Sequence, residues 1–353
     1  AKACYLASVV VVVHEQDHGE LKEAPLPSRS AVVRGLVVLV MLGALVPSVL
    51  GLLGRWGWLF DLCNHFRFQY AAVLLVTALA LFLLRSWKLA AAAAAGCAMN
   101  LFFVLPLYLG SPASADLARP TMTVMHYNVN TSNSNHAGVI AEIYTQNPDL
   151  LFVQEVNHRW VDALKAGLQG YELIVDQSRT DNFGIACFQR KAGDDRPAIA
   201  IVSSRVYDVT NDIAQVPVIE AELTLEGDTI SVLSIHPLPP VSVLYARARD
   251  ATLYAAGEWA AEQADPCIVV GDFNATPWST AFRDLRSSGE LVNSQVGFGR
   301  APTWPASLNT LGMIPIDHLL HSGELTTVNR VVGEANGSDH LPLIVEIGWK
   351  AGP

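Results

Sequence analysis

Val269-Val270-Gly271-Asp272-Phe273-Asn274-Ala275-Thr276-Pro277 is the stretch whose reading decides the fold. A β-branched run ends in a glycine. An acid and an amide follow two residues apart, and a turn closes the stretch. Side chains at i and i+2 of an extended segment point to one side. Asp272 and Asn274 are therefore expected to project together from the C-terminal end of a strand, a common place for chemistry in a layered α/β domain. Taken alone, these residues also suit a surface turn. Their weight comes from partners elsewhere in the chain.

Working outward, the 353 residues divide by composition. Residues 31–110 are nearly free of charge, whereas residues 120–353 have the make-up of a soluble protein. That second region carries 14 Lys and Arg against 27 Asp and Glu, a net charge of −13. Such a surface repels a polyphosphate backbone and lacks the basic footprint of a nucleic-acid binder. Cys187 and Cys267 sit in apolar, strand-like runs and read as buried thiols. No Cys/His spacing suggests zinc.

Residues 4–13 form an apolar run too short to cross a bilayer, and residues 14–30 read as a charged, proline-containing linker. Residues 31–110 hold three candidate transmembrane helices, at 31–53, 68–84 and 89–109. The competing reading is a buried helical core, but three such runs within 80 residues would leave nothing polar to face water. Aromatic residues between the first two, among them Trp56, Trp58 and Phe66, suit a membrane interface. Arg29 and Arg34 flank the first span, and Arg85 and Lys88 fill the loop between the second and third. The positive-inside rule then places these residues in the cytoplasm and residues 121–353 outside it, as a domain of a multi-pass cell-membrane protein. Arg55 and Arg67, in the outer loop, count against that orientation. Residues 111–120 read as a tether.

Beyond residue 120, strands alternate with helices. Strands are expected at 122–128, 150–155, 183–189, 199–206, 218–225, 229–236, 267–273, 316–321 and 341–347. Glu226-Gly227-Asp228 marks a hairpin. Helices are expected at 136–146, 159–168 and 243–263, and Arg247 and Arg249 read as a solvated helix face. The pattern is α/β, with sheets packed together and helices outside. Six strand ends finish in polar groups: Asn128 with Asn130, Gln154 with Glu155, His236, Asp272 with Asn274, Asp317 with His318, and Asp339 with His340. Each alone suits a turn cap. Together they suit one pocket at the sheet edge.

These segments resemble the endonuclease/exonuclease/phosphatase superfamily, with its DNase I-like fold. The resemblance spans about residues 120–349 and is carried best by Leu151-Phe152-Val153-Gln154-Glu155, Gly271-Asp272-Phe273-Asn274 and Gly337-Ser338-Asp339-His340. It implies a four-layer α/β sandwich that hydrolyses a phosphoester with Mg²⁺, or Mn²⁺ in its place. By motif, Glu155 resembles the principal metal ligand, Asn128 its neighbour at metal and phosphate, and Asp339 the acid beside the metal. Asp272 and Asn274 resemble the pair that positions the attacking water and holds the phosphate. His340 resembles the catalytic histidine, oriented by Asp317, and His236 fills the place of a phosphate contact. Either Asp272 or His340 serves as the base. Asn130 departs from the pattern, since the DNA-repair nucleases often carry Asp there, and no basic DNA-gripping insertion is evident. Pro-rich segments around His236, Trp304 and Ile314 resemble the bacterial membrane-anchored members. Trp304 suits the pocket mouth or simple packing, whereas His318 and His321 read as structural.

The leading expectation is thus a membrane-anchored hydrolase acting on a phosphorylated small molecule or a lipid-linked phosphate. A nuclease is the alternative, disfavoured for duplex DNA by the acidic charge. A third reading is an inactive membrane sensor or scaffold. The sequence gives no oligomeric state.

Overall fold

The computed structural model describes residues 28–193, 199–208 and 215–352. The apolar run at residues 4–13 and most of the expected linker lie outside the described residues. The chain opens with α1 (Arg29–Leu50), capped by the Ser28 side chain, which accepts from the Ala31 N–H. A 3₁₀ turn leads to α2 (Trp58–Leu62), and a second leads into α3 (Arg67–Leu83). Then come α4 (Trp87–Val104) and α5 (Pro106–Leu109). Three segments, Arg29–Trp56, Trp58–Leu83 and Trp87–Val104, are long and apolar enough to cross a membrane. The third ends short of the expected residue 109 because Pro106, which has no N–H, starts a new turn.

Small residues let these helices close on one another. A Cβ at Gly96 would lie 2.6 Å from Leu45 Cδ1. Polar side chains link the helices inside the bundle. Arg67 donates to the Ser48 carbonyl at 2.8 Å and to Asn100 Oδ1 at 3.2 Å, while Asn100 donates to Ser48 Oγ at 2.8 Å. This ties α1, α3 and α4 together at one end.

The remaining chain runs β1 (Met122–Asn128), α6 (His136–Gln146), β2 (Leu150–Gln154), α7 (His158–Gly167), β3 (Tyr171–Gln177), β4 (Ile185–Arg190), β5 (Ile199–Asp208), β6 (Pro217–Leu225) and β7 (Asp228–Ser234). It continues through α8 (Val243–Ala261), β8 (Cys267–Asp272), α9 (Thr280–Ser288), β9 (Val292–Asn293), β10 (Asp317–His321), β11 (Leu325–Val332) and β12 (Leu343–Trp349). The expected hairpin joins β6 to β7, with Glu226 and Gly227 both at positive φ as such a turn requires.

The strands form two mixed sheets in the orders β11-β12-β1-β2-β4-β3 and β5-β6-β7-β8-β10-β9. Alternation along each strand builds three apolar layers. Val124, Phe152, Val232, Val270 and Leu319 fill the space between the sheets. Met125, Leu151 and Val153 turn the other way, onto Val139 and Ile143 of α6 and Trp160 of α7. Val269 and Leu320 turn onto Leu253 of α8 and Phe282 of α9. The result is the four-layer α/β sandwich, preceded by the helical bundle. Cys187 and Cys267 are buried free thiols.

Residues 111–120 do not hang free. Ala115 pairs with Lys350, the Asp116 N–H donates to the Trp349 carbonyl, and Thr326 Oγ1 donates to the Ala113 carbonyl. The bundle itself is docked on the domain. Asp61 of α2 accepts from Arg249 Nη2 at 3.0 Å and from the Thr280 N–H, at the start of α9, at 2.6 Å. Trp278 donates to the Phe103 carbonyl, and Gln69 of α3 donates to the Leu311 and Met313 carbonyls. Arg249, expected on a solvated helix face, is instead buried. Its guanidinium is held between Asp61 and Asp250, because the bundle covers that side of α8.

Candidate active site

The site is the polar end of the layer between the sheets. Along β1, Met122, Val124, His126 and Asn128 share the inward face. Phe152 and Gln154 do so on β2, Val232 and Ser234 on β7, Val270 and Asp272 on β8, and Leu319 and Asp317 on β10. Each strand turns from apolar to polar toward one end. β1 runs parallel to β2 and β7 parallel to β8, while Asp317 pairs in register with Asp272 on antiparallel β10. The polar ends therefore meet. All six of these polar side chains are nearly fully buried, as are His236 and His340, and Glu155, which follows β2, is half-buried.

Gly271 makes the approach of the strands feasible. Its φ is +148°, and a Cβ there would lie 1.9 Å from the Ile235 carbonyl oxygen. Asp272 follows, its Oδ1 accepting from the Asn274 N–H at 2.9 Å. Asn274, at φ +48°, donates from Nδ2 to the Pro237 carbonyl. Glu155 leaves β2 at φ +60°. Its carboxylate accepts from Asn128 Nδ2 at 2.9 Å and from the Thr131 N–H at 3.3 Å. The same Asn128 amide lies 3.4 Å from Asp272 Oδ2, between the two carboxylates.

Asp317 Oδ2 bonds His340 Nδ1 at 3.0 Å, and its Oδ1 bonds His126 Nε2 at 2.8 Å. His340 Nε2 lies 3.6 Å from Asp272 Oδ2, and His236 Nε2 lies 3.7 Å from the same oxygen. Asp339 accepts from Asn130 Nδ2 at 2.6 Å and from Trp304 Nε1 at 3.2 Å. Asn130 thus supports Asp339 by an amide donor in place of a second acid. His318 points to the opposite face of β10, against Phe273 and Phe282, with Nε2 on the Ala275 carbonyl. His321 bonds Thr327 Oγ1, away from the site.

Seven of the residues singled out by sequence, Glu155, His236, Asp272, Asn274, Trp304, Asp339 and His340, line one cavity of about 690 Å³. Asn128 and Asp317 lie immediately behind it. Sequence reasoning missed His126, although a histidine on the inward face of an apolar strand was a usable signal. It also gave Gln154 no role. Gln154 spans the two sheets, donating to the Ile235 carbonyl at 2.8 Å and accepting from the Asp272 N–H at 3.1 Å.

The electrostatics separate the groups. Burial opposes charge on Asp317, but His340 and His126 override it and hold the carboxyl well below the usual range. Burial also pulls His340 down, yet Asp317 and Asp272 raise it to about 10. Burial raises Asp272 to about 7 against the pull of His340, and raises Glu155 despite its bond from Asn128. His236 is lowered to about 3, first by burial and then by the neighbouring His340.

The donor set fits a hard divalent cation. The Glu155 and Asp272 carboxyls flank the Asn128 amide, and both carry raised proton affinities that a cation would offset. Donor atoms of Asp272, Asp317 and His340 also lie within 4.8 Å of one another. Asp317, however, already spends both oxygens on histidines, which favours ring orientation over metal binding for that residue.

Residues 125–340 match the profile of the Endonuclease/Exonuclease/phosphatase family. Among solved structures, D. rerio TDP2 complexed with a single-strand DNA product is 15% identical, with a TM-score of 0.55 over 65% of this chain and 99% of that one. An endonuclease/exonuclease/phosphatase from Bacteroides vulgatus is 16% identical, with a TM-score of 0.52 over 65% and 99%. A family protein from Bacteroides thetaiotaomicron is 18% identical, with a TM-score of 0.52 over 66% and 99%. At these identities the likeness shows the fold alone. A search of curated proteins finds no significant match.

Proposed function

The chain belongs to the endonuclease/exonuclease/phosphatase family, and on that premise we propose that it is a membrane-anchored, divalent-metal-dependent phosphoester hydrolase. The observation that carries the reading is the meeting of Glu155, Asn128, Asp272, His236 and the Asp317–His340 pair at one end of the inter-sheet layer.

Glu155 and Asn128 are the proposed holders of Mg²⁺ or Mn²⁺, with Asp339 beside them. Such a cation polarises a phosphoryl oxygen and neutralises developing charge. Asp317 fixes the His340 ring through Nδ1 and leaves Nε2 toward Asp272 and the cavity. At about 10, His340 is a cation at neutral pH and suits donation to a phosphoryl oxygen. Asp272, at about 7, suits removal of the proton from an attacking water. His236 stays neutral and supplies a phosphate contact, and the Asn274 amide is a second one. Trp304 closes the cavity edge and holds Asp339.

We place the catalytic domain outside the cytoplasm. Arg29, Arg34, Arg85 and Lys88 gather at the bundle end away from the domain, which supports that orientation. Arg55 and Arg67, at the other end, still count against it. Arg55 pairs with Asp284, and Arg67 is bonded inside the bundle. The test is turnover by the full chain with Mg²⁺ of a chromogenic diester, a nucleotide, plasmid DNA, a phospholipid and a prenyl diphosphate. Release from any ester, lost in His340→Ala, is the expected result. Nicking of plasmid alone would replace this reading with a nuclease. Metal binding without turnover of any substrate would favour a sensor.

A further inference from the structure

One wall of the cavity before His340 is not made by the catalytic domain. Leu62, the last residue of α2, and His65 and Phe66, in the 3₁₀ turn before α3, line the same space as His236, Asp272 and His340. The wall is held in place, since Asp61, one residue before Leu62, is the carboxylate paired with buried Arg249. Phe66 immediately precedes α3, whose 17 residues extend about 25 Å at 1.5 Å per residue. This wall therefore lies where the second span begins.

The apolar character continues outward from the cavity. Val241 and Tyr245, also lining it, are 70% and 40% exposed, and Leu244 between them is 51% exposed. Leu308 and Leu311 are exposed on the loop that Gln69 of α3 holds by its carbonyls. Exposed apolar side chains on an otherwise acidic domain call for a partner, and here some line the cavity mouth and others sit on a loop held by a helix apolar enough to span a bilayer. A fully polar phosphate compound would leave that surface wet. The wall offers one polar side chain, His65, whose Nε2 has no hydrogen-bond partner.

We propose that the cavity takes a phosphoester bearing a long apolar chain, drawn sideways from the bilayer, so that the helical bundle is part of the substrate site as well as an anchor. The phosphate sits at His340 and Asp272, the chain lies along Phe66, Leu62 and Tyr245, and His65 meets the head group. This rests on the hydrolase reading and specifies its substrate class.

The test uses the full chain in phosphatidylcholine nanodiscs with Mg²⁺. Phosphatidic acid and phosphatidylglycerol are each offered as the long-chain lipid and as a short-chain, water-soluble homologue. The long-chain member is expected to have the higher kcat/KM by about tenfold or more, the scale of one buried apolar side chain. Leu62→Ser with Phe66→Ser should erase that preference. Equal kcat/KM for both chain lengths overturns the proposal and leaves the hydrolase standing. No turnover of any ester removes the hydrolase reading and this proposal with it. Should the double variant misfold, the wild type is photolabelled with phosphatidic acid carrying a diazirine chain, beside diacylglycerol carrying the same chain. Labelling of Tyr245 and Ile314 by the phosphate-bearing probe alone is the expected result. Equal labelling by both, or none at either residue, contradicts the proposal.

Discussion

Asp317 binds a histidine with each of its oxygens, and most of the site's electrostatics follow from that arrangement. It keeps the His340 ring oriented and charged. Asp317→Asn should therefore lower kcat by about 10²–10⁴-fold, the usual range for a general acid or base group, with a smaller change in KM. Steady-state kinetics on one soluble diester check this, and an unchanged kcat would show that His340 needs no orienting acid. At this scale the sequence was informative where a polar side chain ends an apolar strand, because period-two alternation fixes the face. Asp272 and Asn128 could be placed that way, whereas Glu155, which alternation sets on the face of Leu151 and Val153, leaves β2 at positive φ. His126 sits mid-strand, and only its partner Asp317, 191 residues away, gives it a role.

At the scale of elements, two predictions concern β8 and β10. Gly271→Ala should destabilise the fold by a few kcal/mol, because its Cβ would meet the Ile235 carbonyl and its φ is positive. Thermal unfolding checks this, and an unchanged Tm would contradict the close approach. Burial of His318, with the nearby Arg330 cation adding to it, lowers its pKa from 6.5 to about 3. Between those values the unfolded chain binds a proton that the folded chain refuses. The contribution of His318 is thus complete above pH 6.5 and falls as pH drops, by about 1.4 kcal/mol per pH unit. His318→Asn should flatten the loss of stability between pH 7 and pH 4, and an identical slope in both proteins would refute the assignment.

The elements that were not legible have physical reasons. β3 and β11 each carry a register shift, between Leu173 and Val175 and between Thr327 and Asn329. A bulge breaks the alternation by which strands are read. α9 has nine residues, too few for a clear helical period, and its start is set by the Ser279 cap.

At the scale of the whole molecule, the bundle and the domain are joined by buried polar contacts that no local pattern announces. Asp61 reads as a lone acid in a loop and Arg249 as one cation on a helix, 188 residues apart. Removing one partner of a buried pair strands the other, at a cost of about 3–5 kcal/mol, whereas replacing both with apolar residues costs much less. Arg249→Leu should accordingly lower the Tm of the full chain, and adding Asp61→Leu should restore part of it. No recovery in the double variant would mean that the pair does not couple the two parts. The alternation of strands and helices, and the three apolar segments, were readable because each is a local property. The docking that builds the cavity wall was not.

The most direct measurement is turnover of a chromogenic phosphodiester by the full chain, with Mg²⁺ or with a chelator, for wild type, Glu155→Gln and His340→Ala. Activity should require the cation, and Glu155→Gln should demand more of it. His340→Ala should lose about 10²–10⁴-fold in kcat while binding the cation as wild type does by calorimetry. Turnover that ignores the chelator, or equal rates in wild type and His340→Ala, would contradict a metal-dependent hydrolase at this site.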